Sequence, residues 1–300
     1  MKILIIGSTG FIGTYIYNQC VAQGIPALGT STKGEESNTI KYRLGDDPGE
    51  IIKIITSEKD DNLSAIITAS ISKISECEIN AKETRKVNVE DTVELINHLV
   101  DTRARIIFLS SDAVFDGIKG NYKEIDDINP INEYGRQKAE VEEYLKNLSD
   151  SLVLRISKQY DIDIKKRHLI SDIYNQAQSN QRVKCIKGMC FNPTYVADTA
   201  SGIIECCKRG LSGIYHLASP CSMSRYDAAI KVVDKLDMPK EIVECVEPEE
   251  LNLTYRIPLN TSMDVSKLKA VLKHDFKTMD EVLSEWHIDS HDSYGEYKNR

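Results

Sequence analysis

The sequence predicts the α/β class: a doubly wound parallel sheet followed by a smaller C-terminal α/β lobe. Three observations predict it. A β-branched apolar run, Lys2 to Ile6, opens the chain and leads straight into Gly7-Ser-Thr-Gly10-Phe-Ile-Gly13. Short apolar runs of strand length then alternate with longer stretches of helical period across the first half. Strands and helices alternating at this spacing imply right-handed crossovers, which put helices on both faces of a parallel sheet.

Each element has its own justification. Lys2 to Ile6 shows no polar alternation after its lysine, as in a strand buried on both faces. Phe11, Ile12, Tyr15, Ile16, Cys20 and Val21 recur at helical spacing, so Phe11 to Gln23 is a helix, stopped by Gly24-Ile-Pro26. Pro26 to Gly29 opens a second short strand, and Ile51, Ile52, Ile54 and Ile55 predict a short helix. Ala65 to Ala69 is another buried strand. Glu78 to Val100 carries one long helical pattern, and Arg105 to Leu109 is a strand. Glu133 to Leu148 is a helix and Leu152 to Ile156 a strand. The second half is less regular. Helices are predicted over Ile170 to Gln178, Val196 to Cys207 and Arg225 to Leu236. Strands are predicted over Gly213 to Leu217 and Ile242 to Val246, and short closing helices over Val265 to Leu272 and Met279 to Trp286. Residues 1–157 are expected to form a Rossmann-type NAD(P)-binding domain, to which a later segment, about 183–217, returns. Residues 158–286 are expected to form mainly a substrate-binding lobe, and 287–300 a polar, disordered tail in which His287 and His291 lie among aspartates.

Three hundred residues suffice for one large domain or two modest lobes with a real core. Apolar content of 41% and charged content of 28% are those of an ordinary soluble protein. A net charge of −8 and the lack of a Lys/Arg stripe exclude nucleic acid as the expected partner, because phosphate neutralisation needs clustered cations. The opening apolar run stops after four residues, too short for a signal-peptide core or a membrane span. The expectation is a cytoplasmic protein with no membrane partner. None of the eight cysteines forms a Cys-x-x-Cys pair, and no histidine stands at zinc-ligand spacing from them. They read as reduced thiols, and no metal is expected.

The glycine loop carries the first chemistry. Gly7 permits a tight turn, Gly10 lets the backbone approach a pyrophosphate, and Gly13 lets the helix pack on the strand. The helix N-terminus then offers free N–H groups and its positive dipole end to an anion. Thr9, Phe11 and Ile12 complete the candidate cofactor contacts on this loop. The second strand ends in Thr30-Ser31-Thr32-Lys33 instead of the carboxylate that usually holds an NAD ribose. Hydroxyls and a lysine (Ser31, Thr32, Lys33) suit a 2′-phosphate, so NADP is preferred, with NAD as the alternative. Glu35 and Glu36 lie close by and temper that preference.

Tyr134 and Lys138 stand four apart on a predicted helix and so share one face. A cation beside a phenol favours the phenolate, which predicts a lowered tyrosine pKa. Ser110 and Ser111 end the strand before them, and in a parallel sheet that end opens into the nucleotide cleft. A serine hydroxyl there can hold a carbonyl oxygen while Tyr134 gives it a proton and Lys138 reaches the nicotinamide ribose. Together these describe hydride transfer to a ketone.

With these residues in view, the chain resembles the extended short-chain dehydrogenases/reductases, and among them the dTDP-4-dehydrorhamnose reductase group. The matching motifs run nearly end to end. They are Gly-Ser-Thr-Gly-Phe-Ile-Gly (7–13), Thr-Ala-Ser-Ile-Ser-Lys-Ile-Ser-Glu-Cys-Glu (68–78) and Lys-Val-Asn-Val-Glu (86–90). They continue with Leu-Ser-Ser-Asp-Ala-Val-Phe-Asp-Gly (109–117), the most specific, and Asn-Pro-Ile-Asn-Glu-Tyr-Gly-Arg-Gln-Lys (129–138). The last are Pro-Thr-Tyr-Val-Ala-Asp (193–198) and Arg-Ile-Pro-Leu-Asn-Thr-Ser-Met-Asp (256–264). The resemblance implies Ser111, Tyr134 and Lys138 as the catalytic set, with Ala69, Ser70 and Asn88 along the cofactor. It implies Ile71, Asp112, Ala113 and Arg256 at the substrate, and a nucleotide-sugar held by the C-terminal half. The implied activity is NADP-preferring reduction of a nucleotide-linked 4-keto-6-deoxy sugar, in cell-surface polysaccharide biosynthesis. Homodimers are usual in the superfamily.

Departures from the group's pattern are specific. Ala113 stands where the group usually has tyrosine, and Ile71 where it often has an aromatic or histidine. Arg43-Leu44 replaces an Asp-apolar pair that often meets the adenine. Asp161 replaces a usual glycine, and Tyr15 an acid that some members use for an intersubunit metal. Sister nucleotide-sugar dehydratases place an acid at position 113, which leaves only Asp112 to serve here, and GDP-fucose-synthase-type enzymes need a cysteine at 112 to epimerise, so simple reduction is favoured. The alternative is a non-catalytic, NADP-binding regulatory subunit with the same fold.

Overall fold

The computed structural model describes residues 1–34, 38–57, 62–179 and 181–287. Glu35, Glu36 and the tail from 288 onward lie outside them. The first strand, β1 (Lys2–Ile6), is buried along its whole length, as an unbroken apolar run requires. It is followed along the chain by β2 (Ala27–Ser31), β3 (Thr39–Lys41), β4 (Leu63–Ile67), β5 (Arg105–Ser111) and β6 (Ser151–Ile156). Four short strands come next: β7 (Gln159–Tyr160), β8 (Val183–Ile186), β9 (Cys190–Phe191) and β10 (Thr194–Tyr195). The chain then returns to the main sheet as β11 (Gly213–Leu217) before β12 (Met223–Ser224) and β13 (Val243–Val246).

The main sheet has seven strands in the order β11-β6-β5-β4-β1-β2-β3, with every pair parallel. The chain therefore winds outward from β1 through β2 to β3, then starts again at β4 and winds the other way. β1 and β4 pair in register, Ile6 opposite Ile67, and their C-terminal ends form the topological switch point. A crevice for a dinucleotide belongs there.

Successive residues of β1 point to opposite faces. Leu4 and Ile6 join a core with α2 (Gly49–Ser57), while Ile3 and Ile5 meet α1 (Phe11–Ala22) on the other face. The expected single helix over Glu78 to Val100 is instead broken into α3 (Ile74–Ile79), α4 (Ala81–Arg85), a π-helical turn over Lys86–Asp91, and α5 (Thr92–Asp101). The break has a local cause: the Asn80 backbone leaves the helical region at φ −115 and ψ 47. The wider π turn that follows carries Asn88 inward, where it is 2% exposed. Beyond it α5 and α6 (Glu133–Leu145) complete the layer on the Leu4 face.

A second core lies beyond β6. It joins Ile170 and Ile173 of α7 (Leu169–Gln178) with Val232 and Val233 of a later helix, and with Trp286 near the end of the described chain. The intervening α8 (Val196–Arg209) belongs to the main sheet, packing Ala200 and Ile203 beside Ile16 of α1. The helix carrying Val232 is α9 (Arg225–Lys235), and α10 (Ser266–Val271) and α11 (Met279–Glu285) close the structure. Among the described residues no helix is long and apolar enough to cross a membrane.

Candidate active site

The glycine loop turns as its sequence requires. Gly7 sits at φ +90, and a Cβ on Gly13 would lie 2.1 Å from the Gly7 carbonyl oxygen, so α1 rests directly on the turn. The loop is tied down from both neighbouring strands. Gly7 N donates to Thr30 Oγ1 (3.0 Å), and Thr68 Oγ1 donates to the carbonyls of Ile6 (2.8 Å) and Gly7 (3.1 Å). Gly10 caps α1 without a side-chain hydrogen bond, and no acid lies in its first turn. The helix N-terminus therefore keeps its N–H groups and dipole unopposed, which fits the pyrophosphate of a dinucleotide.

A cleft of about 920 Å³ begins at this loop and runs across the sheet into the second core. Gly7, Thr9, Gly10, Phe11, Ile12 and Gly13 line its start, with Ser31 and Thr32 at the end of β2 and Ala69 and Ser70 after β4. Lys33 does not line it; the side chain stands exposed beside the wall. Asn88 does not line it either. Its amide bonds both polar groups of the Ile71 backbone, accepting from N at 2.7 Å and donating to O at 2.9 Å, and it donates to Gln137 Oε1 at 2.7 Å. Asn88 thus shapes the cofactor wall from behind, since its buried amide is spent on backbone and on α6.

The strand before the tyrosine runs through both serines, so Ser110 and Ser111 belong to β5. Ser111 caps the next turn by accepting from Ala113 N at 3.1 Å, and Asn132 caps α6 by accepting from Gly135 N at 2.8 Å. These two caps set Ser111 and Tyr134 on the same stretch of cleft wall, together with Lys138. Lys138 is 4% exposed and donates to the Leu109 carbonyl at 2.9 Å. Its Nζ lies 4.6 Å from the Phe108 ring centroid and 5.8 Å from that of Tyr134.

The electrostatics reverse one expectation. Burial pushes the Lys138 amine down to about 8, against an upward pull from Glu142. The Tyr134 phenol is raised, first by burial and then by the Asp112 carboxylate, while the Ser111 and Ser70 hydroxyls pull it down. The Lys138 ammonium, bonded to the Leu109 carbonyl and 5.8 Å from the ring centroid, does not offset this burial. A tyrosine that keeps its proton is in the correct state to donate one.

Asp112 joins three parts of the chain. It accepts from Ser111 Oγ (3.1 Å), Ser157 Oγ (3.0 Å) and Thr261 Oγ1 (2.9 Å). Burial raises its carboxyl, and the three hydroxyls oppose that. Asp112 and Ala113 line the cleft, but Ile71 and Arg256 do not. Ser70 and Ser72 flank Ile71 on the wall, and Ile257 and Pro258 take the place of the exposed Arg256. In each case a neighbouring residue, not the motif residue itself, lines the cleft.

The end of the cleft beside the second core holds a group of cations that the motifs did not point to: Lys158, Arg167, Lys184 and Arg225. Burial pushes the Lys158 amine down, and Arg225 adds to the effect. Lys158 alone left a signal, standing just past the C-terminal end of β6. The others come from distant segments that only the second core brings together. Among the described residues, no cluster of three or more His, Cys, Asp or Glu could hold a metal ion.

Comparison with known proteins agrees with this geometry. The family model described as RmlD substrate binding domain matches residues 1–289. Methionine adenosyltransferase 2 subunit beta of Xenopus tropicalis is 27% identical over 278 residues, covering 90% of this chain and 82% of the relative. The dTDP-4-dehydrorhamnose reductase of Aggregatibacter actinomycetemcomitans is 27% identical over 217 residues, covering 68% of this chain and 73% of the relative. The crystal structure of dTDP-4-dehydrorhamnose reductase from Bacillus anthracis in complex with NADP superposes with a TM-score of 0.82 over 95% of this chain and 98% of that one, at 19% identity. With a match that spans nearly the whole chain, on a parallel sheet whose glycine loop sits at the switch point, the protein belongs to the RmlD substrate-binding domain family and has the extended short-chain dehydrogenase/reductase fold.

Proposed function

We propose that this protein reduces the 4-keto group of a nucleotide-linked 6-deoxy sugar, with NADP as its preferred cofactor, in the assembly of a cell-surface polysaccharide. One observation carries the reading: Ser111, Tyr134 and Lys138 share the wall of a single cleft that starts at an open helix N-terminus. The reduced nicotinamide, when bound, supplies the hydride. The protein's residues do the rest. Ser111 holds the carbonyl oxygen, and Tyr134 gives that oxygen its proton as it gains negative charge. Lys138 holds a positive charge against the phenol ring and so favours the anion that proton loss leaves behind.

The cations at the far end suit a diphosphate. Lys158, Arg167, Lys184 and Arg225 concentrate positive charge on one wall of a protein whose net charge is −8. Position 112 is an aspartate and position 113 an alanine, so no cysteine is present to epimerise and no acid at 113 to expel water. Simple reduction is the chemistry these residues favour.

The test is NADPH consumption across a panel of nucleotide-linked 4-keto-6-deoxy sugars, with Tyr134→Phe as control. Turnover should appear only with such a substrate. The variant should lose about 100-fold or more in rate while its NADPH affinity stays nearly intact. Undiminished turnover in the variant would remove Tyr134 as proton donor. A second reading is a non-catalytic binding subunit of another enzyme. The Xenopus relative, itself named as a subunit and matched over 90% of this chain, favours it. Tight NADPH binding with no consumption on any substrate would select that reading.

A further inference from the structure

We propose that Arg43, and not Lys33, reads the 2′-phosphate of the cofactor; the proposal rests on the NADP reading above. Tyr42 N donates to the Ser31 carbonyl at 2.9 Å, so the chain leaving β3 runs beside the C-terminal end of β2. Tyr42 and Leu44 are 5% and 7% exposed and belong to the core under the sheet. Arg43, between them, is exposed at the rim of the cleft, which all three line together with Ser31 and Thr32. The turn that holds it is fixed at both ends: Arg43 N donates to Asp46 Oδ2 at 2.8 Å, and Asp46 N donates to the Arg43 carbonyl at 2.9 Å.

Three features make this a phosphate reader. The end of β2 is where a ribose 2′-substituent lies in this fold, and a carboxylate there would select NAD. Among the described residues, the acids on the cleft wall are Asp112 and Asp172, and neither belongs to the β2–β3 segment beside Arg43. Among the described residues, no carboxylate is paired with the Arg43 guanidinium either. A planar fork of donors can grip a phosphate through two parallel hydrogen bonds, whereas a 2′-hydroxyl offers it little. Lys33 stands exposed and off the wall.

Titration of the full-length protein with NADPH and with NADH, followed by calorimetry, tests this without any turnover. Arg43→Ala should weaken NADPH binding about tenfold or more and leave NADH unchanged. Arg43→Lys should fall between, keeping the charge but losing the fork. Lys33→Ala should change neither affinity by more than about twofold. Equal losses for both dinucleotides would mean that Arg43 stacks on the adenine, and would overturn the proposal. So would an unchanged preference in Arg43→Ala, or transfer of the loss to Lys33→Ala. A wild-type protein that does not favour NADPH over NADH would sink the NADP reading itself, and this proposal with it. A wild-type preference that survives Arg43→Ala would sink the proposal alone.

Discussion

The Tyr15 hydroxyl donates to the Asp161 carboxylate, joining the glycine-loop helix to the segment that leads into the second core. Both residues depart from the pattern of related reductases, and here they meet. The contact is reinforced: Lys166 Nζ lies 5.0 Å over the Tyr15 ring, and the Phe11 ring stacks on His168 at 5.5 Å. The start of α1, which would face the cofactor, is thereby strapped to residues of the substrate side. Burial and the Asp161 hydrogen bond push the Tyr15 phenol up, so it keeps the proton that it donates.

That strap is measurable. Asp161 is 1% exposed, and Tyr15→Phe takes away its side-chain donor, at an expected cost of about 1.5–3 kcal/mol in urea unfolding. Combined with Asp161→Ala, the two losses should not add, since each single change already breaks the same bond. Strictly additive losses would mean the pair contributes no mutual interaction.

A buried ion pair stands behind Lys138 and Ser111. Arg155 Nη2 donates to Glu142 Oε2 at 2.7 Å, with the side chains 3% and 0% exposed, and the Ser110 hydroxyl also donates to Glu142. Glu142 follows Lys138 by one helical turn on the same face of α6. Arg155→Met would strand the carboxylate in the core, and about 3–5 kcal/mol of stability should be lost. Glu142→Leu together with Arg155→Met should recover most of it, because an apolar pair replaces the charges. A double variant as unstable as the single one would show that packing, and not stranded charge, sets the cost.

Gly135 follows the tyrosine at a point where α6 touches the turn after β5. A Cβ there would lie 2.1 Å from the Ala113 carbonyl oxygen and 2.9 Å from Pro130 Cβ. The first of these is backbone and cannot swing aside, so Gly135→Ala must push the helix off the Ser111–Ala113 turn. The strain should cost about 1–3 kcal/mol, and the displaced Tyr134 should lower the reductase rate about 100-fold. Wild-type turnover in this variant would mean that the spacing between Ser111 and Tyr134 is not critical.

The depressed Lys138 amine makes a pH prediction. Its ordinary value is 10.5 and burial brings it to about 8, so between those values the folded protein holds fewer protons on this group than the unfolded chain does. Stability from this group therefore rises with pH across that window. The comparison with Lys138→Met isolates it from other titrations: wild type should gain on the variant by about 3 kcal/mol as pH rises from 8 toward 10.5. A flat difference between the two proteins would return Lys138 to an ordinary, well-solvated amine.

Local geometry was legible in the sequence. The runs that became β1 and α1, and the helix bearing Tyr134 and Lys138, were readable because strand burial and helical spacing depend only on neighbouring residues. The glycine loop was readable for the same reason, as a turn with its own steric demand. Short strands such as β3, β7, β9, β10 and β12, of two or three residues, have no period to detect. The break at Asn80 was hidden within a helical pattern that continues on either side of it. Tertiary structure alone decided the rest. It brought Tyr15 to Asp161, 146 positions apart, and gathered Lys158, Lys184 and Arg225 on one wall. It gave the wall positions expected of Lys33, Asn88 and Arg256 to other residues, because a motif names a segment and packing chooses which of its side chains faces inward. It also set the sign of the Tyr134 shift: spacing places an ammonium near a phenol, but burial, which no spacing reveals, outweighs it.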